Sequence, residues 1–374
     1  MEIQSDVKKI YADTVPYLLQ WYDYNRRILP WRESPTPYHV WVSEIMLQQT
    51  RVEAVRGYYD RFLTCLPDVA ALASAQEEVL LKLWEGLGYY NRVRNMQKAA
   101  RILVEQYDGQ MPAEYEKIRA LPGIGDYTAG AIASIAFGLP YPAVDGNVLR
   151  VMSRIACSEE DIAKEKTKQK LKHELTLIMP ERSGDFNQSL MELGATVCLP
   201  NGRPLCDQCP VMHLCKAFHA GRETELPVKS GKKERRVEKR VVYVISCGEK
   251  ILLHRREKKG LLAGLWEFPN VLTDEKERDL QTRAESDLEQ LGIQLPGMKL
   301  TVRKSKKAKH IFSHVEWHME GIRIEAQDFY GNGKDGQEEW AFVTVQELQN
   351  IYPVPSAFEV FLKDVKEEKA IDEK

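Results

Sequence analysis

The chain has 374 residues, of which 43% are hydrophobic, and its formal net charge is −2. A chain of this length is expected to form two or three domains, and the hydrophobic content is sufficient for their cores. No stretch approaches the roughly 18 uninterrupted apolar residues of a membrane-spanning helix, which excludes an integral membrane protein. Since residues 1–9 are charged and no apolar signal segment follows them, we expect a cytosolic location.

The first 225 residues are predicted to be almost entirely helical, because apolar residues recur at intervals of three and four. Ile10, Leu18 and Trp21 follow this spacing in the first predicted helix, and Val52 and Val55 follow it further on. No alternating strand pattern interrupts this half of the sequence. We therefore predict an all-α domain over residues 1–225.

A carboxyl group lies in the apolar segment W-V-S-E-I-M-L-Q-Q-T-R-V, residues 41–52. On a helix, Glu44, Gln48 and Arg51 share one face. Burial among the apolar neighbours would raise the pKa of Glu44 and keep it protonated near neutral pH, as a general acid requires. The alternative is a structural ion pair of Glu44 with Arg51 or Arg92.

A short turn with two glycines separates two predicted helices at L-P-G-I-G-D-Y, residues 121–127. Gly123 and Gly125 permit a tight turn, after which the next helix begins with free backbone N–H groups. Such a turn suits a phosphate in any nucleotide sequence, although an ordinary helix–helix turn has the same pattern. With its flanking helices, the segment 113–134 resembles the helix-hairpin-helix element of DNA repair proteins.

A second carboxyl group precedes a predicted helix in P-A-V-D-G-N-V-L-R-V, residues 142–151. An Asp before Gly is most often a turn residue or a helix N-cap, which is the structural interpretation of Asp145. The chemical interpretation is that an ionised Asp145 stabilises the cationic sugar carbon formed when an N-glycosidic bond breaks. Asn147 would then orient the carboxylate.

Four of the seven cysteines fall within 18 residues, in the spacing C-x7-C-x2-C-x5-C. A tight cluster in a cytosolic protein is typical of a metal or iron–sulfur site rather than of disulfides. Ligand type alone does not separate zinc from an iron–sulfur cluster. The predicted metal ligands are Cys198, Cys206, Cys209 and Cys215.

The sequence changes character after Pro227. Residues 229–240 carry seven basic and two acidic side chains. Residues 226–239 are predicted to be a basic linker, and residues 240–366 are predicted to be a smaller α+β domain. A second basic run occupies residues 303–309. Such runs usually form solvated loops, and they indicate a phosphate-binding surface only where other features indicate nucleic acid. The predicted strands are 240–247, 251–255, 314–319 and 322–326, and helical patterns lie near 276–291 and 356–366.

Three segments together resemble the MutY family of the endonuclease III superfamily. The match is close at S-E-I-M-L-Q-Q-T-R-V, G-I-G-D-Y-T-A and V-D-G-N-V-L-R-V, and the order of motifs resembles the superfamily throughout residues 25–220. The cysteine spacing resembles the superfamily's [4Fe–4S] loop, normally C-x6-C-x2-C-x5-C, with one extra residue in the first gap. The loop is expected at residues 198–215 with a [4Fe–4S] cofactor.

The resemblance implies a base excision repair enzyme that binds double-stranded DNA and removes adenine mispaired with 8-oxoguanine or guanine. It further implies a monomer located in the cytoplasm, at the nucleoid of a bacterium. Contacts with other repair proteins are left open.

Roles for the two carboxyl groups follow from the resemblance, position by position. Glu44 would protonate adenine N7, Asp145 would stabilise or capture the C1′ cation, and Tyr127 and Asn147 would line the reaction centre. In the endonuclease III branch the position of Tyr127 is a lysine that forms a Schiff base and cuts the strand. Tyrosine at this position implies a monofunctional glycosylase. Many relatives also have a lysine at the position of Leu149, and its absence is expected to remove a side reaction but not base excision.

The resemblance also implies contacts with the extruded base, the DNA backbone and the base stack. Gln188 would hydrogen-bond an adenine edge, and Gly123 and Gly125 would approach a phosphate. Trp31, Arg32 and Gln188 match the adenine pocket, and Gln48, Gln49 and Tyr89 match groups that enter the base stack or fill the space of the flipped base.

The segment G-L-L-A-G-L-W-E-F-P, residues 260–269, resembles the Nudix fold. Residues 283–292 lack the R-E-x-x-E-E run that binds Mg²⁺ in Nudix enzymes, so pyrophosphatase activity is not expected. The family retains this fold as a reader of 8-oxoguanine. Its recognition loop matches F-S-H, with Phe312 as a wedge and Ser313 and His314 as hydrogen-bonding groups.

Three other functions remain open on the sequence. A bifunctional glycosylase and lyase for oxidised pyrimidines is opposed by Tyr127 and by the Nudix-like segment. A non-catalytic iron–sulfur DNA-binding protein is opposed by the presence of both Glu44 and Asp145. A nucleotide-pool pyrophosphatase with a DNA-binding appendage is opposed by the incomplete Mg²⁺ helix.

Overall fold

The computed structural model describes residues 2–231, 234–273, 279–293, 301–326 and 340–372. The chain divides into two compact units. Unit 1 consists of Met1–Ala75 and Arg94–Lys232, and unit 2 consists of Gln76–Val93 and Lys233–Lys374. A short segment of the N-terminal half thus packs within unit 2, whereas the domain boundaries drawn from the sequence stay a prediction.

Unit 1 is helical in all its described secondary structure, which confirms the all-α prediction for this half. Short 3-10 helices at Cys206–Gln208 and Met212–Leu214 lie in the cysteine segment. The first residues of α7 belong to unit 2. The helices are α1 (Glu2–Asn25), α2 (Pro30–Glu33), α3 (Pro37–Leu47), α4 (Val52–Cys65), α5 (Val69–Ser74), α7 (Asn91–Tyr107), α8 (Tyr115–Arg119), α9 (Asp126–Phe137), α10 (Gly146–Ala156), α11 (Glu165–Thr176), α12 (Ser183–Thr196) and α13 (Lys216–His219). None of the helices in the described parts of the chain has the length and apolarity that crossing a membrane requires.

Close packing of α9 against its neighbours depends on two glycines. A Cβ atom on Gly130 of α9 would lie 2.3 Å from the carbonyl oxygen of Pro142, and one on Gly184 of α12 would lie 2.7 Å from that of Ser134. Because a packed interior has little free volume, only glycine fits at these two positions. The small residues that the sequence places in α9 therefore bring it against both the 142–143 segment and α12.

Replacing Gly130 by alanine is expected to lower the free energy of unfolding by about 1–3 kcal/mol, because the added methyl group overpacks this contact. Urea unfolding followed by circular dichroism measures the change. Gly57→Ala is the matched control, since a Cβ on this helical glycine meets nothing within 4 Å. The control is expected to leave stability unchanged or to raise it by about 0.5–1 kcal/mol. Equal stability of Gly130→Ala and the parent would contradict the packing argument.

In the described residues, unit 2 is built on a seven-stranded sheet of order β3-β2-β1-β6-β5, with β4 paired to β1 and β7 paired to β2. β1 and β6 run parallel along their whole length, whereas the other pairs are antiparallel. The strands are β1 (Arg236–Cys247), β2 (Lys250–Arg255), β3 (Trp266–Glu267), β4 (Asn270–Leu272), β5 (Thr301–Ile311), β6 (Val315–Ala326) and β7 (Trp340–Thr344), and the helices are α6 (Glu77–Leu83), α14 (Leu280–Gln290), α15 (Val345–Asn350) and α16 (Glu359–Asp372).

Alternation along β1 gives unit 2 a core on each face of the sheet. Val241, Tyr243 and Ile245 pack with the buried residues of α14. Val242 and Val244 pack with the buried Phe361 of α16 and with Phe358 just before that helix. Successive side chains of a strand point to opposite faces, so one apolar strand serves both cores. The α+β prediction for this half is confirmed.

The strand predictions need three corrections. The runs 314–319 and 322–326 form one strand, β6, because Gly321 does not break the strand. A Cβ there would lie 2.7 Å from the ring of Phe361, so glycine lets α16 approach.

The basic run 303–309, interpreted as a loop, lies in β5, and β1 begins at Arg236 inside the predicted linker. Lysines suit β5 because, among the strands that the structure describes, it lies at the edge of the sheet, where charge prevents pairing with other chains. Part of the predicted helix near 276–291 lies outside the described residues.

Candidate active site

Glu44 lies in the buried part of α3, a helix whose start is fixed by the Thr36 N-cap and Pro37. The Tyr127 hydroxyl donates a 2.5 Å hydrogen bond to Glu44 Oε2. Burial raises the pKa of Glu44 to about 7, and the nearby Asp145 charge adds to this, against the hydrogen bond from Tyr127 and the charge of Arg32. A carboxyl group with this pKa is substantially protonated at neutral pH, as proton donation requires. Glu44 thus bonds to Tyr127 rather than forming the alternative ion pair with Arg51 or Arg92.

Asp145 is the N-cap of α10, so the structural interpretation of this residue is correct. Its Oδ1 accepts a 2.8 Å bond from the Val148 backbone N–H, and its Oδ2 accepts a 2.8 Å bond from Asn147 Nδ2. Burial raises the pKa of Asp145, whereas these two bonds and the charge of Arg150 act in the opposite direction. The positive end of the α10 dipole also favours the ionised form. Capping the helix leaves the carboxylate in a position to face the cleft.

One cleft in unit 1 contains both carboxyl groups. Its volume is about 180 Å³, more than ten times the roughly 10–15 Å³ that one water molecule requires, so it has room for a ring-shaped group. The other residues with predicted roles that line this cleft are Trp31, Arg32, Tyr127, Asn147 and Gln188.

The three residues predicted to enter the base stack lie outside the lining of this cleft. Gln48 is the C-cap of α3, and its Nε2 donates a 3.4 Å bond to Thr128 Oγ1. Gln49 follows in the left-handed region, with φ of 60°. Tyr89 belongs to unit 2, also has a positive φ (48°), and is half-exposed. Positive φ in non-glycine residues is uncommon and often marks functional loops.

Sequence reasoning missed a buried carboxylate in the same cleft. Glu192 accepts bonds from Arg27 Nε (2.7 Å) and Arg32 Nη2 (2.8 Å), and only 1% of its side chain is exposed. Although burial acts in the opposite direction, these hydrogen bonds hold the pKa of Glu192 below its ordinary value. The available signal was helical spacing, since Glu192 lies one turn after Gln188 on α12.

Replacing Glu192 by alanine is expected to lower the free energy of unfolding by about 3 kcal/mol, because two partly buried guanidinium groups lose their counter-charge. Chemical unfolding measures the effect. Glu53→Ala is the control, since its ion pair with Arg56 is exposed and should contribute less than about 1 kcal/mol. Similar losses in the two variants would show that Glu192 does not organise the cleft.

The predicted hairpin forms between α8 and α9. Gly123 has φ of 78°, where a side chain would be strained, and a Cβ there would also lie 2.7 Å from Asn95 Cβ. Gly125 is the N-cap of α9. The first backbone N–H groups of α9 have no acceptor within the helix, which suits an anion.

The four clustered cysteines line one cavity, together with apolar residues such as Val151 and Leu193 and with the charged Arg154 and Glu223. Arg154 Nη1 donates a 3.2 Å bond to Cys198 Sγ. Among the described residues, no three His, Cys, Asp or Glu side chains are arranged to hold a metal ion as they stand. Four sulfur ligands, an apolar wall and one guanidinium group nevertheless fit an anionic metal–thiolate centre.

A chain of hydrogen bonds joins the cysteine segment to the cleft. Arg150 of α10 donates through Nε to the Cys198 carbonyl (2.9 Å) and through Nη2 to Asn147 Oδ1 (2.9 Å). Asn147 in turn donates to Asp145. The orientation of the Asp145 carboxylate is thereby tied to the fold of the cysteine segment.

In unit 2, the F-S-H segment forms the turn between β5 and β6. The Phe312 ring packs edge-on against Trp317, with centroids 4.8 Å apart. Ser313 and His314 are exposed. The segment thus presents two polar side chains on a turn held by an aromatic anchor.

Residues 42–176 match the family described as HhH-GPD superfamily base excision DNA repair protein, and residues 240–364 match the NUDIX domain. The helical fold, the hairpin and the cleft therefore place the protein in the class of HhH-GPD base excision repair enzymes. It is 38% identical to the human adenine DNA glycosylase over 367 residues, covering 83% of this chain and 67% of that protein. The chain belongs to the adenine DNA glycosylase family.

Two further similarities agree with this membership and with the predicted fold class. The adenine DNA glycosylase of Buchnera aphidicola subsp. Schizaphis graminum is 31% identical over 352 residues, covering 92% of this chain and 97% of that protein. A solved structure of a thermostable thymine-DNA glycosylase has 26% identity and a TM-score of 0.50, covering 58% of this chain and 98% of that chain. The prediction of a helical glycosylase domain followed by a Nudix-like domain is confirmed.

Proposed function

We propose that this protein is a monofunctional DNA glycosylase that hydrolyses the N-glycosidic bond of adenine mispaired with 8-oxoguanine or guanine in duplex DNA. The observation that carries the proposal is the pair of carboxyl groups in one cleft with different surroundings. Glu44 accepts one hydrogen bond, from an O–H group, and has a pKa of about 7. Asp145 accepts two hydrogen bonds from N–H groups and lies at the N-terminus of a helix. Environments that differ in this way assign one group as the acid and the other as the anion.

In the proposed reaction, Glu44 donates its proton to adenine N7 as the bond between C1′ and N9 breaks. The bonding electron pair leaves with the base, which departs uncharged because it carries the added proton. Asp145, oriented by Asn147, stabilises or captures the positive charge that develops on C1′. Water then adds to C1′, and the proton released from that water restores the acid.

The absence of a lyase step follows from Tyr127. A Schiff base with C1′ requires an amine, and the Tyr127 hydroxyl instead donates to Glu44. This bond supports a positioning role for Tyr127 toward the acid. Strand cleavage is therefore expected only after treatment with alkali.

Recognition is proposed to involve both units. Trp31, Arg32 and Gln188 would bind the extruded adenine, and the backbone at Gly123 and Gly125 would bind a phosphate. The residues proposed to contact the opposite lesion or the base stack are Phe312, Ser313, His314, Gln48, Gln49 and Tyr89.

The proposed cofactor is a [4Fe–4S] cluster held by Cys198, Cys206, Cys209 and Cys215. When bound, it would fix the fold of the cysteine segment, to which Arg150 and Arg154 of α10 donate hydrogen bonds. An anaerobic absorbance spectrum with an iron assay tests this. Stoichiometric zinc without iron would contradict the cluster.

We propose that the enzyme acts as a monomer on DNA in the cytoplasm, at the nucleoid of a bacterium. Binding to DNA fits the family membership. Sedimentation equilibrium with and without a duplex tests the oligomeric state, and a stable dimer would contradict this part of the proposal.

The proposed reaction is tested with duplexes that contain adenine opposite 8-oxoguanine, opposite guanine or opposite thymine. Strand breaks at adenine that appear only after alkali, in the first two duplexes, are the expected result. Breaks without alkali would favour a lyase. Equal breakage in all three duplexes, or none, would contradict the proposed substrate.

A further inference from the structure

Residues 76–93 interrupt unit 1 in sequence but pack within unit 2. This segment consists of α6 and a loop that leads to the start of α7. The loop contains Tyr89. Hydrogen bonds from Lys82 and to Glu85 hold this segment to the C-terminal part of the chain.

Lys82, near the end of α6, makes the first of these contacts. Its Nζ donates to the carbonyl oxygens of Leu348 (3.0 Å) and Tyr352 (3.1 Å), and it pairs with Glu85 at 2.6 Å. The Leu348 carbonyl lies in the last turn of α15, where backbone acceptors lack partners within the helix and a cation is favoured, and the Tyr352 carbonyl lies two residues beyond the helix. The three N–H donors of one ammonium group thus have three acceptors.

Glu85 makes the second contact. Its Oε1 accepts a 2.7 Å bond from the Val354 backbone N–H, beyond α15. The side chains of Lys82 and Glu85 are 17% and 27% exposed, so solvent screens this pair less than a fully exposed one. Arg255 and Glu78 form a further pair between this segment and the C-terminal part of the chain (3.0 Å), and it should contribute less because the Glu78 side chain is 52% exposed.

The loop after Glu85 is held by its own hydrogen bonds. Trp84 Nε1 donates to the Gly88 carbonyl (3.1 Å), and Arg92 Nη2 donates to the carbonyls of Leu87 (2.8 Å) and Gly88 (3.0 Å). Tyr89 follows with φ of 48° and is 49% exposed. The loop therefore fixes the backbone under Tyr89 while leaving half of the ring available.

We propose that Lys82 and Glu85 are positioning residues that attach the Tyr89 loop to the C-terminal domain. This inference rests on the proposed function, in which Tyr89 enters the base stack and the 312–314 turn contacts 8-oxoguanine. Both groups then belong to one unit. Recognition of the lesion and insertion of Tyr89 become parts of one binding event. The contacts of Lys82 and Glu85 thereby contribute to the preference for 8-oxoguanine over guanine.

Hydrogen–deuterium exchange of the full-length protein tests the attachment. In Lys82→Met, amides of residues 84–92 are expected to exchange at least tenfold faster, whereas those of α9 stay at the parental rate. Protection in β1 and β6 reports whether unit 2 remains folded. Lys98→Met, a change of an exposed lysine on α7, is the matched control and should alter nothing. Parental exchange of residues 84–92 in Lys82→Met would overturn the inference.

Single-turnover excision of adenine opposite 8-oxoguanine and opposite guanine tests the consequence. Lys82→Met and Glu85→Ala are expected to lower the ratio of the two rates about five- to tenfold. Glu85→Gln, which keeps an oxygen acceptor for Val354, should lower the ratio less, and Lys82→Arg, which keeps the charge and donors, should restore most of it.

Tyr89→Ala separates failure of the inference from failure of the proposed role of Tyr89. If Tyr89→Ala lowers the ratio and Lys82→Met does not, the inference alone is wrong. If Tyr89→Ala leaves the ratio unchanged, the role given to Tyr89 is wrong and the inference falls with it.

Discussion

Replacing Glu44 by glutamine is expected to lower the rate of adenine excision about 10²- to 10⁴-fold, the usual contribution of a general acid. Glutamine has nearly the same shape and can still accept the Tyr127 hydrogen bond, but it has no proton to give to the base. Duplex binding should stay within a few-fold of the parent, because the change affects bond breaking and not contact with the backbone.

Single-turnover kinetics with a duplex containing adenine opposite 8-oxoguanine measure this effect. Glu53→Gln is the matched control, because this glutamate lies on α4 with 77% of its side chain exposed. Excision by Glu44→Gln at the parental rate would remove the acid from the mechanism and with it the proposed function.

The pH dependence follows from the same carboxyl group. Since the pKa of Glu44 is about 7, the protonated fraction falls as pH rises, and the rate should fall tenfold per pH unit above this value. The folded protein also binds this proton more tightly than the unfolded chain, whose Glu44 has the ordinary pKa of 4.5. The stability that this proton provides is complete below 4.5 and is lost as pH rises through about 7. Glu44→Gln should therefore gain stability relative to the parent at pH 8 but not at pH 4.

Replacing Asp145 by asparagine is expected to lower excision about 10²- to 10³-fold, because the charge that stabilises the developing cation is removed. Stability should change little, since asparagine is as good an N-cap as aspartate. Asp68→Asn is a close control: Asp68 caps α5 by accepting a 2.8 Å bond from the Ala71 N–H, on the exposed surface.

Thermal unfolding and single-turnover excision of both variants check this expectation. The expected outcome is two equally stable proteins, of which only Asp145→Asn shows the reduced rate of excision. Should Asp145→Asn keep its activity, or lose it only together with its fold, Asp145 would be no more than a helix cap.

Local patterns in the sequence predicted the features that depend on neighbouring residues. Apolar spacing predicted the helices of unit 1, and the apolar neighbours of Glu44 predicted its burial and raised pKa. Gly123 and Gly125 predicted the hairpin, because two glycines so close together permit a tight turn. In each case the physical cause lies within a few residues of the feature.

Features that depend on distant contacts were not predictable in this way. Glu192 meets Arg27 across 165 positions, and Lys82 meets Leu348 across 266. Helical spacing places Glu192 on the same face as Gln188, but no local pattern indicates the distant partner of Glu192 or of Lys82, because each looks like an ordinary surface charge in its own segment. The basic run in β5 was interpreted as a loop, because its many lysines hide the alternation of apolar and polar residues by which strands are predicted.

The paired arginines and carboxylates of the cleft have one more consequence, for the electrical balance of the reaction. Arg27 and Arg32 supply two positive charges, and Glu192 and ionised Asp145 supply two negative ones, so the lining is neutral while Glu44 holds its proton. Passing that proton to adenine only separates charge inside the pocket, and no counterion has to enter or leave. Added salt should therefore weaken binding to the duplex, because binding releases the ions condensed on the phosphates. The rate of bond breaking in the bound complex should stay nearly constant.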